Sequence, residues 1–195
     1  MKIVDILIEQ CKNPSGLLGS FMIKIMETAD SGFNKWVQQF IDDSRRNILD
    51  VGCGGGKTIK KTAKKHKKAT VYGIDISTYT VKVAKRKNSR KVRKGSVIIQ
   101  QSNVENLPFA DNFFDTVTAI RTHYFWKDLE SSFTEIYRVL QDHGQLLILS
   151  DNYHVVYHME KYKSTVMLQE LLTKIGFSGF QVHENGRSFC MIAEK

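Results

Sequence analysis

The sequence predicts an α/β fold, in which helices cover a mostly parallel β-sheet. Three observations predict it. Short apolar runs alternate with amphipathic stretches from residue 45 onward, a glycine-rich turn follows the first of these runs, and an Asn-Gly pair separates the last two. The alternation is typical of a parallel sheet, whereas the Asn-Gly pair indicates a β-hairpin at the end of the chain.

The apolar runs predict seven strands in order along the chain. They are Asn47–Val51, Thr70–Ile74, Ser96–Gln100, Phe114–Ile120, Gln145–Ser150, Phe180–His183 and Phe189–Ala193. Helices are expected over 57–67, 79–90, 128–140 and 164–175. The final hairpin predicts one antiparallel pairing at an edge of the sheet. Ligands of such sheets bind beyond the carboxyl ends of the strands, near the point where the strand order reverses.

Residues 1–44 have a helical, amphipathic pattern and precede this core. Their large apolar side chains are Phe21, Met22, Met26, Phe33 and Trp36. Two interpretations remain open: these helices form a lid over an apolar substrate, or they pack against the sheet. The length of 195 residues fits one domain, with 1–44 as a cap and 45–195 as the core.

Composition excludes several classes of protein. Apolar stretches are far shorter than the roughly 20 residues of a membrane span, and the first apolar run contains Asp5 and Glu9, so a cytoplasmic protein is expected. The three cysteines, Cys11, Cys53 and Cys190, lie far apart and favour neither a disulfide framework nor an iron–sulfur cluster. No metal site is predicted, because the pair His154 and His158 has no evident third ligand.

The net charge of +9 is concentrated in two runs. Residues 57–68 and 82–94 together hold 15 of the 29 basic residues. Solvated helix faces explain such runs in most proteins, and an anionic partner such as nucleic acid is the alternative. Few aromatic residues lie near these runs, so the base-stacking platforms of single-strand binders are not evident.

The loop after the first strand, Asp50-Val51-Gly52-Cys53-Gly54-Gly55-Gly56, is the strongest chemical signal. Its glycines allow close approach of a ligand to the backbone, and the following helix offers unpaired N–H groups. The spacing Gly52-x-Gly54-x-Gly56 fits neither the GxGxxG of dinucleotide sites nor a Walker loop. Asp50 disfavours a nearby pyrophosphate but suits a positively charged amino acid moiety. These features favour S-adenosylmethionine over a dinucleotide.

The end of the second strand supports the same ligand. Asp75 lies 19 residues after the last loop glycine, where a carboxylate accepts hydrogen bonds from ribose hydroxyls. Ile76, which follows it, is suited to cover one face of an adenine.

Four segments resemble successive motifs of class I S-adenosylmethionine-dependent methyltransferases. In order, they read ILDVGCGGGKT, YGIDIS, NVENLPFADNFFDTVTAI and YRVLQDHGQLLI, and the resemblance covers residues 45 to 195. It implies a Rossmann-like, seven-stranded sheet whose last strand is antiparallel, with helices on both faces. It also implies that Gly52, Cys53 and Gly54 join Asp50 in binding the cofactor, that Asn103 and Val104 border the adenine, and that Ile120 and Arg121 line the methionine moiety.

The segments NPSGLLGSFMIKIMETADSGFNKW and RTHYFW resemble a small bacterial subgroup of uncharacterised members. This chain departs from the subgroup in having Arg121 where a Glu is usual, Asp30 where a His is usual and Glu27 where an Asn is usual. Either this chain acts on a different substrate, or these three positions are not catalytic.

Catalytic candidates follow the fourth strand. Transfer from a sulfonium chiefly requires alignment of the nucleophile with the methyl carbon, and a base is needed only when the nucleophile must lose a proton. His123 is the candidate base, and packing is its alternative role. Tyr124 is the second candidate, and Trp126 is the other aromatic residue of this rim.

A small molecule is the favoured methyl acceptor. The segment Arg121-Thr122-His123-Tyr124 differs from the [DN]PP[YF] of enzymes that methylate amino groups of nucleic-acid bases. Two alternatives stay open: a nucleic-acid (RNA) methyltransferase that uses the basic helices, and a non-catalytic protein that binds S-adenosylmethionine.

Overall fold

The computed structural model describes residues 31–195, in which a seven-stranded sheet has the order β3-β2-β1-β4-β5-β7-β6. The strands are β1 (Asn47–Val51), β2 (Thr70–Asp75), β3 (Val97–Gln101), β4 (Phe114–Ile120), β5 (Leu140–Asp151), β6 (Ser178–Asn185) and β7 (Ser188–Glu194). The first five pair in parallel, and β7 alone runs opposite to its neighbours. The predicted α/β class with an antiparallel last strand is confirmed.

Helices cover both faces of this sheet. They are α1 (Ser31–Trp36), α2 (Lys57–Lys65), α3 (Thr78–Lys87), α4 (Ser89–Arg93), α5 (Leu129–Val139), α6 (Asn152–His158) and α7 (Thr165–Ile175), with 3₁₀ turns at Val37–Gln39 and His123–Phe125. Buried residues of α5 and α7 pack with Leu49 of β1, whereas those of α2 and α3 pack with Val71 of β2. Alternate strand residues therefore face different helical layers.

The terminal hairpin differs from the expected single antiparallel pairing at an edge. β7 lies between β5 and β6 and is antiparallel to both. Its central residues, Phe189 to Ala193, are buried, whereas β6 is mostly exposed. The more apolar strand occupies the interior position because both of its faces are covered there.

Residues 31–41 pack against the sheet and against α2. Val37 and Ile41 are buried beside Ile48 and Leu149. Nε2 of Gln38 donates to Oγ1 of Thr62 over 2.8 Å. This part of the expected cap therefore belongs to the core, while Phe21, Met22 and Met26, on which the lid interpretation also depends, lie outside the described residues. Within 31–195, no helix is long and apolar enough to cross a bilayer.

The strand order reverses beside β1. From β1 the chain continues to β2 and β3 on one side, then crosses to β4 on the other. Ligand sites in such sheets lie at the carboxyl ends of the strands flanking this reversal. The two sets of residues that carry the predicted chemistry lie there, one at the ends of β1, β2 and β3 and the other at the ends of β4 and β5.

Candidate active site

The residues at the ends of β1, β2 and β3 form the first half of the site, which we call the glycine edge: Gly52–Gly56, Asp75–Ser77 and Asn103–Val104. Gly52 has φ +67°, and a Cβ there would lie 2.1 Å from Oγ1 of Thr122. Gly54 has φ +51°, and a Cβ there would meet no atom within 4 Å. The two glycines thus serve different purposes: Gly52 permits contact with the chain after β4, and Gly54 leaves space for a ligand.

The carboxylate of Asp75 holds this loop in place. Its Oδ2 accepts from the backbone N–H of Gly54 over 2.9 Å. Its Oδ1 accepts from the N–H of Ser77 over 2.9 Å and from Oγ1 of Thr80 over 2.8 Å. A carboxylate has about four acceptor sites, so Oδ2 retains capacity for a ribose hydroxyl. Asp75 is partly exposed, which lets a ligand reach that oxygen.

Apolar surface lies next to this carboxylate. Ile76 is 56% exposed and offers apolar surface next to the Asp75 carboxylate. Val104 is buried and Asn103 is exposed just after the neighbouring strand β3. An exposed isoleucine beside a carboxylate fits a nucleoside, whose base is flat and whose sugar carries hydroxyls.

Asp50 and Cys53 are both buried in this edge. Oγ1 of Thr118, on β4, donates to Oδ1 of Asp50 over 2.9 Å. Burial, together with the negative charges of Asp75 and Asp50, raises the pKa of the Cys53 thiol well above its ordinary value. The thiol therefore stays protonated, and Cys53 serves the site through its backbone, whose N–H donates to the carbonyl of Ile74 over 2.9 Å.

The ends of β4 and β5 form the second half, which we call the histidine edge: Arg121–Trp126 and Asp151–His158. Ile120 ends β4 almost fully buried, and Arg121 follows it with φ +53°. Nε of Arg121 lies 3.3 Å from Oδ2 of Asp151, and its guanidinium carbon lies 5.4 Å from the centre of the Phe33 ring. An acid and an aromatic ring thus contact the Arg121 side chain, which projects from a left-handed backbone at the end of β4.

Comparison with known proteins identifies the family. The methyltransferase-domain family matches residues 49–148. An O-methyltransferase of Aspergillus sclerotiorum is 30% identical over 87% of this chain and 70% of its own. The chain belongs to the class I S-adenosylmethionine-dependent methyltransferases. S-Adenosylmethionine is accordingly its cofactor, and the capacity of Asp75, the open space at Gly54 and the exposed Ile76 fit that molecule.

Two further proteins show how far the similarity extends. An O-methyltransferase of Pyrenophora dematioidea is 30% identical over 77% of this chain, which spans only 62% of that relative's length. The structure of phosphoethanolamine N-methyltransferase 2 of Haemonchus contortus, in complex with S-adenosyl-L-methionine, is similar with a TM-score of 0.61. It is 26% identical, and the similarity covers 71% of this chain and 34% of the Haemonchus chain.

His123 lies beneath the rim, which favours the packing role that the sequence left open as the alternative to a base. Its side chain is fully buried, and within the described part of the methyltransferase neither ring nitrogen has a hydrogen-bond partner. Burial lowers the pKa of His123 to about 4. The reason is that the 3₁₀ turn His123–Phe125 directs this ring inward, against Tyr124 and Trp126.

Tyr124 does lie at the histidine edge, although only 7% of it is exposed. Its ring stacks on those of His154 and His158, with centroids 5.5 and 5.3 Å away. The two histidines, four residues apart, share one face of α6. Among residues 31–195, however, no three His, Cys, Asp or Glu side chains gather as metal ligands.

Asp151 was not among the residues that the sequence pointed to, and His154 was considered only as half of a metal-binding pair with His158. Oδ1 of Asp151 lies 2.6 Å from Nδ1 of His154 and also accepts from the backbone N–H of His154 over 2.9 Å. The signal was present: an Asp at the end of a strand, three residues before a His, is an N-cap whose carboxylate meets that residue. The predicted strand ended at Ser150, one residue too early to reveal it.

Proposed function

We propose that this methyltransferase transfers a methyl group from S-adenosylmethionine to an oxygen atom of a small molecule. The observation that supports S-adenosylmethionine as the methyl donor is the hydrogen bond from Gly54 to Asp75. It joins an open glycine loop to a carboxylate that can accept further hydrogen bonds. The acceptor half draws on the relatives from Aspergillus and Pyrenophora, both of which bear the name O-methyltransferase.

The residues of the glycine edge would bind each part of the cofactor. Asp75 would accept from the ribose, and Ile76, Asn103 and Val104 would surround the adenine. The loop Gly52–Gly54 would contact the methionine moiety, and the charge of Asp50 would favour its ammonium group. Ile120 and Arg121, at the junction of the two edges, would border the same moiety from the β4 side.

S-Adenosylmethionine supplies a methyl group on a sulfonium, whose leaving thioether needs no proton. The histidine edge therefore has to orient the acceptor and, for a hydroxyl, to remove its proton. Buried His123 reaches no substrate in this arrangement, and Tyr124 would contact an acceptor only through the exposed margin of its ring. The aromatic residues Tyr124, Phe125 and Trp126 support an acceptor with a flat, apolar body.

The basic helices support nucleic-acid methylation less directly than the glycine edge supports binding of S-adenosylmethionine. Their lysines lie on α2, α3 and α4, and Lys91 Nζ reaches back to the carbonyl of Ala63 on α2. A nucleic-acid acceptor, the cytoplasmic location and the single-domain boundaries stay predictions. Binding to RNA that weakens steeply with salt is the measurement for the first of these.

Two measurements test the proposal. Calorimetry with S-adenosylhomocysteine is expected to show binding that is competitive with S-adenosylmethionine. Methyl-labelled cofactor is incubated with catechol in one assay and with fractionated cell extract in another. Both are expected to give labelled small molecules whose methyl group is bound to oxygen. Label found only in RNA, or on nitrogen, would contradict the acceptor class, and tight NADH binding in place of S-adenosylhomocysteine would contradict the cofactor.

A further inference from the structure

The ring of His154 is held in one orientation by a carboxylate at the histidine edge. Asp151 is both the last residue of β5 and the N-cap of α6, and its Oδ1 receives the backbone N–H of His154. The same oxygen lies 2.6 Å from the ring Nδ1. Because an ionised carboxylate only accepts, the short contact assigns the proton to Nδ1 and leaves the lone pair on Nε2.

Asp151 is ionised in this arrangement. Burial acts to raise the pKa of Asp151, but the hydrogen bonds from the backbone and ring of His154 and the charge of Arg121 outweigh it and lower the pKa. A carboxylate on the far side of an imidazole stabilises the positive charge that appears when the ring accepts a proton. Asp151 is therefore suited to support a histidine base.

Arg121 lies beside the His154 ring but does not block the lone pair on Nε2. Its Nη2 is 3.4 Å from Nδ1 and 3.3 Å from Nε2. A donor nearly equidistant from both ring nitrogens is off the axis of the Nε2 lone pair, because that axis points away from Nδ1. The lone pair thus keeps a direction along which a hydroxyl can donate.

The rest of the environment fixes the plane of the ring. Tyr124 stacks on it, His158 lies parallel at 5.9 Å, and Tyr153 meets it edge-on at 5.5 Å. Together with Arg121 and Asp151, these are the titratable groups among residues 31–195 that contact it. The His154 side chain is 30% exposed, in contrast to fully buried His123. A proton taken up on Nε2 can consequently pass to solvent.

We propose that His154 is the catalytic base, with Asp151 as its positioning residue, and that the acceptor is a hydroxyl compound that is protonated when it binds. This inference rests on the proposed function. As the acceptor oxygen forms its bond to the methyl carbon, the carbon–sulfur bond breaks and its electron pair stays on sulfur. The hydroxyl proton moves to Nε2 of His154, the resulting imidazolium is paired with Asp151, and the proton then leaves to water.

The test compares two acceptors that differ in whether a proton must be removed. At pH 8 catechol is mostly protonated, whereas the first hydroxyl of 4-nitrocatechol is mostly ionised. His154→Gln is expected to lower kcat/KM for catechol by about 100-fold or more and for 4-nitrocatechol by less than about fivefold. Asp151→Asn is expected to follow the same pattern with a smaller loss on catechol.

His143→Gln is the matched control, because it removes a histidine of strand β5 that is 89% exposed and lies near the amino end of that strand, away from the site. It is expected to change both rates by less than about threefold. All three variants should bind S-adenosylhomocysteine like the wild type, which reports on folding and on the glycine edge. Nitrogen-15 spectra of the complex with S-adenosylhomocysteine are expected to show His154 protonated on Nδ1, and Asp151→Asn should lose that signature.

Three results would overturn the inference while the wild type still methylates catechol: equal losses on both acceptors for His154→Gln, an equal or larger loss for His143→Gln, or an unprotonated Nδ1. A wild type that places no label on oxygen with catechol, 4-nitrocatechol or the fractionated extract contradicts the proposed function itself, and the assignment of His154 then fails with it.

Discussion

The glycine edge and the histidine edge occupy neighbouring strand ends but are built differently. At the glycine edge, backbone groups do most of the contacting: Gly54 N–H and Ser77 N–H both donate to Asp75. At the histidine edge, side chains from the ends of β4 and β5 contact one another, as in the ion pair between Arg121 and Asp151. A backbone site demands particular residue types at fixed spacing, whereas a side-chain site can be assembled in many ways. The first kind of site therefore identifies a family, and the second decides its substrate.

Gly54→Val gives the strongest test of the glycine edge. A valine side chain would fill the space that Gly54 leaves open, so affinity for S-adenosylhomocysteine should fall by at least about 1,000-fold, or about 4 kcal/mol. Gly95→Val is the control, because Gly95 also has positive φ (+72°) and open space around its missing Cβ. Both variants should lose roughly 1–2 kcal/mol of stability through backbone strain. Equal loss of affinity in both would place the ligand elsewhere.

The contrast between the edges explains how much the sequence predicts. The loop Asp50–Gly56, Asp75 and the order of the strands follow from glycine spacing and from periodicity, because backbone conformation and burial depend on local residue type. The inward turn of His123 depends on tertiary packing that local periodicity does not describe. The pairing of Asp151 with His154 was hidden by a one-residue error in a strand end. The insertion of β7 between β5 and β6 likewise depends on which strand of the hairpin is better covered.

Asp75→Asn should have the next largest effect. The amide has one acceptor oxygen where the carboxylate has two, so its NH₂ must face either the N–H of Gly54 or the donors Ser77 and Thr80. We expect about 100-fold weaker binding of S-adenosylhomocysteine, or about 2.7 kcal/mol. Asp111→Asn, in which an exposed acid paired with Arg138 is changed, is the control and should bind normally. Retained affinity in Asp75→Asn would show that this carboxylate neither shapes the loop nor holds the ribose.

His123 separates a structural histidine from a catalytic one at the histidine edge. Burial lowers the pKa of His123 to about 4 from an ordinary value near 6.5, so between these values the unfolded chain binds the extra proton. As far as this group is concerned, the free energy of unfolding is highest above about pH 6.5 and falls as the pH decreases towards 4. This group should account for about 2 kcal/mol of destabilisation between pH 7 and pH 5.

Urea unfolding of His123→Leu at both pH values measures that contribution. The variant should lose less stability on acidification than the wild type does. His143→Gln, which alters a side chain that is 89% exposed, should leave the pH dependence unchanged. An identical acid response in wild type and His123→Leu would mean that the ring is accessible to protons, which would restore His123 as a candidate base.

The smallest expected effect concerns Tyr124 and decides whether its hydroxyl takes part in the chemistry. Tyr124→Phe keeps the ring that stacks on His154 and His158, so kcat/KM for catechol should change by less than about threefold. Tyr124→Ala removes the stack, worth about 0.5–1.5 kcal/mol per ring pair, and should lower the rate further by loosening His154. A large loss in Tyr124→Phe would instead assign the hydroxyl to the reaction. The histidine edge would then contain two proton-handling groups, and the orientation of His154 alone would no longer account for its chemistry.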